Sequence, residues 1–265
     1  MRQIFGEELK KIQLEILDAV AAFCEKHGIS YWLDGGTLLG AIRHKGYIPW
    51  DDDIDVGMLR PDYDKFMRLF NQENDKYKFY SIENNPDFYY ASGKVLDTDT
   101  ILYEPDKDGM KLSINIDIGV YDNAPDSDKE VLKMYNKRER LRWLHNLRTS
   151  KAVPRGNILR RICVRGVRMG MRVFPENYFV RKIAGASKKY SGYDMGRVGN
   201  FTLYTKMVCG KHVFREFING EFEGKSYRIP IGYDEWLRAF YGEYMELPPE
   251  GERVSHHSFE AYVKA

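Results

Sequence analysis

A chain of 265 residues that is 43% hydrophobic and 14% aromatic can bury a full core, and one elaborated domain is the expectation. The formal net charge of +2 conceals acidic residues crowded within 51–64 and basic residues crowded within 137–172. Three scattered cysteines, Cys24, Cys163 and Cys209, exclude a disulfide framework or Cys-x-x-Cys metal site and suit a cytoplasmic setting, while charges throughout the N-terminus exclude a signal peptide, and a longest apolar run at 19–24 falls far short of the roughly 20 residues a membrane span needs.

Leu9, Ile12, Ile16, Val20 and Phe23 recur at helical spacing within 7–27 and are followed by Gly28, which predicts an amphipathic opening helix. A strand at 30–34, the Gly35-Gly36 turn, a helix at 37–43 and a strand at 53–58 come next, and Pro61 opens a further helix to about residue 70. Strands are then expected at 77–82, 89–96, 100–103 and 113–120, separated by turn residues such as Asn84-Asn85-Pro86 and Asp108-Gly109. The pattern is helical and basic over 127–190; aromatic-rich strands follow residue 200, and a short helix is expected at 234–241. The class is therefore α/β in the α+β sense: a mixed-sheet core over 1–125, a basic helical region over 126–195, and C-terminal strands and a helix over 196–265 that pack on the core.

The chemistry is concentrated in YWLDGGTLLGAIRHKGYIPWDDDIDVGM, residues 31–58. The strand period of two sends Asp53 and Asp55 to one face and Ile54 and Val56 to the other. Two carboxylates so placed repel each other unless Mg²⁺ or Mn²⁺ lies between them. Phosphoryl chemistry with metal calls for a third carboxylate. Asp117 is the candidate, because Ile114, Ile116 and Ile118 alternate with Asn115, Asp117 and Gly119 and leave the aspartate on the polar face of a strand. Gly35 and Gly36 let backbone N–H groups approach phosphate oxygens, the following helix N-terminus favours anions, and Thr37 can add a hydroxyl donor. Lys94 either neutralises a donor phosphate or guards a sheet edge. Asp51 and Asp52 are expected to orient ligands or face solvent.

The segment LDGGTLLGAIRHKGYIPWDDDIDVGM resembles the signature of the LicD family, the phosphocholine transferases related to fukutin. IDIGVYD resembles that family's third-aspartate strand, and YGEYMELPPEGERVSHH resembles its C-terminal segment. Gly119-Val120 departs from the Phe-Pro that the family commonly carries there. The resemblance implies a nucleotidyltransferase fold, a divalent metal, and transfer of a phosphorylated alcohol from CDP-choline or a related CDP-alcohol to a glycan or lipid-linked glycan, such as a teichoic acid precursor, with release of CMP. By position, Gly35, Gly36, Asp53, Asp55 and Asp117 inherit the family's phosphate and metal roles. Two other readings remain open: a nucleoside-triphosphate-dependent nucleotidyltransferase acting on a small molecule, and a catalytically silent binding module of the same fold.

Choline carries a quaternary ammonium that aromatic faces hold, and Tyr47, Trp50, Tyr89 and Tyr90 are near the motif in sequence. Arg43, His44 and Lys45 either contact phosphate or face solvent, and His256-His257 suits a structural or nucleotide-contacting role better than a metal site. The basic stretch, with Arg160, Arg161, Arg165, Arg168 and Arg172 among Ile158, Leu159, Ile162, Val167 and Met169, reads as a basic amphipathic helix pair. It is either a solvated face or a peripheral contact with anionic lipid at the inner face of the cell membrane, in preference to nucleic acid.

Overall fold

A computed structural model describes residues 1–104, 110–150, 157–203, 206–254 and 259–264. Strand β1 (Arg2–Ile4) leads into helix α1 (Gly6–His27), whose buried Leu9, Ile16, Leu17, Val20 and Phe23 form the anticipated stripe. Gly28 ends α1 at φ +59, a left-handed cap that costs glycine least. Then follow β2 (Trp32–Leu33), α2 (Gly35–Arg43), β3 (Asp55–Leu59), α3 (Arg60–Glu73), β4 (Tyr77–Tyr80), β5 (Gly93–Asp97), β6 (Thr100–Glu104), β7 (Met110–Leu112) and β8 (Asn115–Ala124). The basic region is helical as expected, with α4 (Asp128–Thr149), α5 (Ile158–Met171) and α6 (Tyr178–Ser187). The chain closes with β9 (Arg197–Asn200), β10 (Met207–Gly210), the hairpin β11 (Phe217–Phe222) and β12 (Lys225–Pro230), α7 (Tyr233–Tyr241) and β13 (Glu260–Val263).

Strand β8 is the axis of the main sheet. One side pairs with β3, in parallel, and β3 pairs with β2. The other side is shared: β5 takes the first half of β8 and β9 the second, both antiparallel, and each carries one further strand, β4 or β10. Strands from both ends of the chain thus enter one mixed sheet, and a second sheet in the order β1-β13-β6-β7 joins the two termini. Ile114, Ile116, Ile118 and Val120 are buried, and Phe23 of α1 meets Phe66 and Phe70 of α3 with ring centroids 5.6 and 5.0 Å apart. This apolar layer leaves Asn115, Asp117 and Gly119 of β8 directed to the opposite face.

The sequence pattern is least accurate at short strands. β1, β7, β9, β10 and β13 span three or four residues each, too few for a period-two alternation to stand out, and β1, β9 and β13 also pair with strands far away in sequence. The glycine pair is not a separate turn, since α2 begins at Gly35 with Asp34 as its N-cap. Strand β3 begins at Asp55 rather than at residue 53, although a hydrogen bond from the Asp117 N–H to the Ile54 carbonyl (2.8 Å) ties the preceding residue to the same sheet. The Asp108-Gly109 turn lies outside the described residues.

Candidate active site

Register places the polar side chains. In the parallel ladder Asp55 of β3 stands directly across from Asp117 of β8, and in the antiparallel ladder Lys94 of β5 stands across from the same Asp117. Directly opposed residues on neighbouring strands share a face, so three charged side chains form a row across the sheet. Asp53 joins them from the segment before β3, and Asp53, Asp55 and Asp117 each present an oxygen within 4.8 Å of the others. Of the residues singled out in sequence, these three carboxylates and Lys94 are brought together.

Lys94 is not at a sheet edge, because β5 is flanked by β4 and β8. Its ammonium donates to Asp117 Oδ2 (2.8 Å) and Asn115 Oδ1 (3.0 Å), and it lies 5.1 Å from the ring centre of Tyr90. Asp55 is crowded by protein atoms although one edge reaches solvent. Burial first, then the charges of Asp53, Asp117, Asp34 and Asp51, raise its pKa well above the usual carboxylate value. Three oxygen donors around a strongly electronegative point fit a hard divalent cation such as Mg²⁺ or Mn²⁺ far better than a soft one.

The glycines at the start of α2 have a steric task that the sequence did not disclose. A Cβ on Gly35 would lie 2.5 Å from Asp55 Oδ2, and one on Gly36 would lie 2.6 Å from Asp51 Oδ2. Gly35 also has φ +52. The room these residues open is therefore taken by carboxylate oxygens of the chain itself. Thr37 is buried and its hydroxyl accepts the Asp55 N–H (2.8 Å), while the Asp34 N–H donates to the Asp55 carbonyl (2.9 Å). Both bonds hold the first turn of α2 against the start of β3, so Thr37 fixes the backbone from which Asp55 projects.

Asp34 itself was missed as a polar centre in sequence. It is buried, accepts the Tyr121 hydroxyl on both oxygens (2.9 Å each), and accepts the Trp32 indole N–H (3.3 Å). Burial lifts its carboxyl to about 6, opposed by the hydrogen bonds from Tyr121, Gly35 and Trp32. The available signal was an aspartate between an apolar strand and a glycine pair. Tyr241, at the end of α7, is a second omission: desolvation of its hydroxyl, then the charges of Asp55, Asp34, Asp51 and Asp53, push its phenol upward, although 43% of the residue stays exposed. Beyond the cluster, Arg60 grips Asp122 of β8 through two bonds (2.7 and 2.9 Å) and reaches Glu83 (3.0 Å) and Asp64 (3.2 Å).

Other candidates are differently employed. Arg43 donates to the carbonyls of Tyr244 (2.7 Å) and Glu246 (3.1 Å), tying the C-terminal segment to the end of α2. Tyr47 is buried against Phe222 and bonded to Gln13, Tyr89 is bonded to Thr149, and Trp50 lies beside Arg253. Tyr90 is the aromatic beside Lys94 and hence near Asp117. His256 and His257 lie outside the described residues.

Comparisons with known proteins agree with the resemblance in the motif. Residues 28–104 match the family model described as LicD/FKTN/FKRP, nucleotidyltransferase domain. The lipopolysaccharide cholinephosphotransferase LicD of Haemophilus influenzae is 33% identical over 99% of this chain and 100% of its own length. Human ribitol 5-phosphate transferase FKRP is 51% identical over 43 residues, 16% of this chain and 9% of its own length. Human ribitol-5-phosphate transferase FKTN is 28% identical over 104 residues, 38% of this chain and 23% of its own length.

Proposed function

The chain belongs to the LicD family of transferases, and on that footing we propose that it moves a phosphorylated alcohol, phosphocholine, from a CDP-linked donor to a hydroxyl of a cell-surface glycan, releasing CMP. The end-to-end similarity to a lipopolysaccharide cholinephosphotransferase carries this reading. The similarity to two ribitol phosphate transferases supports phosphoalcohol transfer more broadly.

Asp53, Asp55 and Asp117 are the residues that would hold Mg²⁺ or Mn²⁺. Such a cation, when bound, supplies positive charge to the phosphate oxygens and makes the acceptor hydroxyl easier to deprotonate. Lys94 holds Asp117 in a fixed orientation and adds a positive charge beside the phosphate path. Asp117 orients the acceptor hydroxyl and receives its proton. The acceptor oxygen forms the new bond to the phosphorus that carries choline, the bond from that phosphorus to the CMP oxygen breaks in line, and CMP leaves with the electron pair. Tyr90, whose ring lies 5.1 Å from the Lys94 ammonium, is the aromatic beside the carboxylate cluster among those singled out.

The test is a transfer assay with CDP-choline, a glycan acceptor and Mg²⁺. CMP release and a choline-modified acceptor are expected from the parent, and both should disappear in Asp55→Ala with the circular dichroism spectrum unchanged. Retained activity in Asp55→Ala, or pyrophosphate release from a nucleoside triphosphate in place of CMP release, sinks the assignment. Parallel assays with CDP-ethanolamine and CDP-ribitol identify the alcohol.

A further inference from the structure

Helix α5 is built inside out. It is 14 residues long, and none of them is buried. At 100° per residue, Ile158, Ile162, Met169 and Val173, the last just past the helix end, form one stripe with Leu159 beside it. These five side chains are 59–77% exposed. The half-buried positions are Arg161, Val164, Arg168 and Met171, on the opposite side, where Arg168 donates to Ser150 (3.2 Å) at the end of α4. An ordinary surface helix turns its apolar stripe inward and its charges outward. Here the apolar stripe is the outermost face. Gly166 and Gly170 share it, and a Cβ on either would meet no described atom within 4 Å, so no described part of the chain covers this face.

Charge indicates what does cover it. Between Glu139 and Glu176 the sequence contains no acidic residue and ten lysines and arginines, although the net charge of the whole chain is only +2. Arg160, Arg165 and Arg172 are exposed along the margins of the apolar stripe. A protein groove would complement the apolar stripe without requiring this surplus, and a second copy of the same strongly positive surface would repel it. A bilayer with anionic headgroups satisfies both features, because acyl chains receive the stripe while the phosphates meet the arginines. At about 1.5 Å per residue the helix is about 21 Å long, too short to cross a hydrocarbon core of about 30 Å. Among the described residues no helix is long and apolar enough to cross a membrane, which leaves α5 lying along the surface.

We propose that α5 is an interfacial membrane-binding helix that seats its Ile158–Ile162–Met169–Val173 stripe among the lipids of an anionic bilayer. The inference stands apart from the choice of donor. Each basic residue held near an anionic surface contributes about five-fold in affinity, so binding should depend strongly on both lipid charge and salt.

The experiment is co-sedimentation of the full chain with vesicles of equal phosphatidylglycerol and phosphatidylcholine, or of phosphatidylcholine alone. Binding is expected to the first at low salt, at least ten-fold weaker to the second, and at least ten-fold weaker again to the first for Ile162→Asp/Met169→Asp or Arg160→Glu/Arg165→Glu. These positions are exposed, so melting temperature and transfer to a water-soluble acceptor should match the parent. The proposal is overturned by absence of binding to the anionic vesicles, by equal binding to both, or by unchanged binding of the two variants. A concentration-dependent dimer that Ile162→Asp/Met169→Asp dissolves, without vesicle binding by the parent, would assign the face to a second copy instead.

Discussion

The carboxylate face of β3 and β8 gathers charge where the fold offers little solvent, whereas α5 turns apolar side chains into it. Each surface has the polarity opposite to its surroundings, and each is proposed to meet something outside the chain: a cation in one case, a lipid surface in the other. The difference lies in how firmly each is held. Asp55, Asp117 and Lys94 stand on three adjacent strands in fixed register, while α5 rests on α4 with no residue of its own buried. A transferase must fix its reacting groups within a fraction of an ångström, and a membrane-docking helix needs only to present a face.

The Arg60–Asp122 pair tests the firm side of this comparison most severely. Asp122 follows Asp117 on β8 and is fully buried, and its two bonds from Arg60 satisfy it. Burial pulls the Arg60 guanidinium down, but Asp122, Glu83 and Asp64 together hold it above its usual value. Arg60→Ala leaves Asp122 charged and unpaired, and urea unfolding should show a loss of about 3–5 kcal/mol. A loss below 1 kcal/mol would mean that the sheet is not held at this point as described.

Asp34 gives a smaller effect with a definite sign. Its carboxyl is raised from 3.8 to about 6, so between these values the folded chain keeps a proton that the unfolded chain has lost. Stability from this group therefore falls as pH rises through that window and levels off above about pH 6. The contribution is about 3 kcal/mol across the window, and Asp34→Asn should flatten that part of the stability profile. An unchanged slope in the variant would contradict it.

Gly35→Ala introduces a Cβ 2.5 Å from Asp55 Oδ2 at φ +52. A stability loss of about 1–2 kcal/mol is expected from the backbone alone, together with displacement of Asp55 and loss of transfer activity. Asp55→Asn should act oppositely on stability: in metal-free protein, removal of one crowded charge raises it by about 1 kcal/mol, and added Mg²⁺ no longer raises the melting temperature. If Asp55→Asn destabilises the metal-free chain, the carboxylates are not in the repulsive arrangement inferred. Substitutions on the outer face of α5 are expected to stay within about 0.5 kcal/mol of the parent, because no described contact is removed.

Much of this site was legible in sequence because it rests on local periodicity. Alternation placed Asp53 and Asp55 opposite Ile54 and Val56, and set Asp117 among Ile114, Ile116 and Ile118, and those five apolar residues are all at 0–1% exposure. Helix α1 and its glycine end were equally readable. The role of Lys94 was not, since whether a strand lysine guards an edge or pairs with an aspartate depends on which strand lies next to it. The loop inside the motif was similarly hidden. The Tyr47 N–H donates to Glu223 (2.9 Å) at the tip of the β11–β12 hairpin, more than a hundred residues further along the chain.

By itself the sequence determined the family, the α+β class, the three carboxylates and the basic character of the middle region, because each is a matter of residue type and short-range period. Tertiary structure alone decided that Asp55 and Lys94 flank Asp117, that Gly35 and Gly36 make room for carboxylates, and that the apolar stripe of α5 faces outward. A strand's neighbours and a helix's buried side are set by long-range packing, where the net free energy of many distant contacts outweighs what any local pattern prefers.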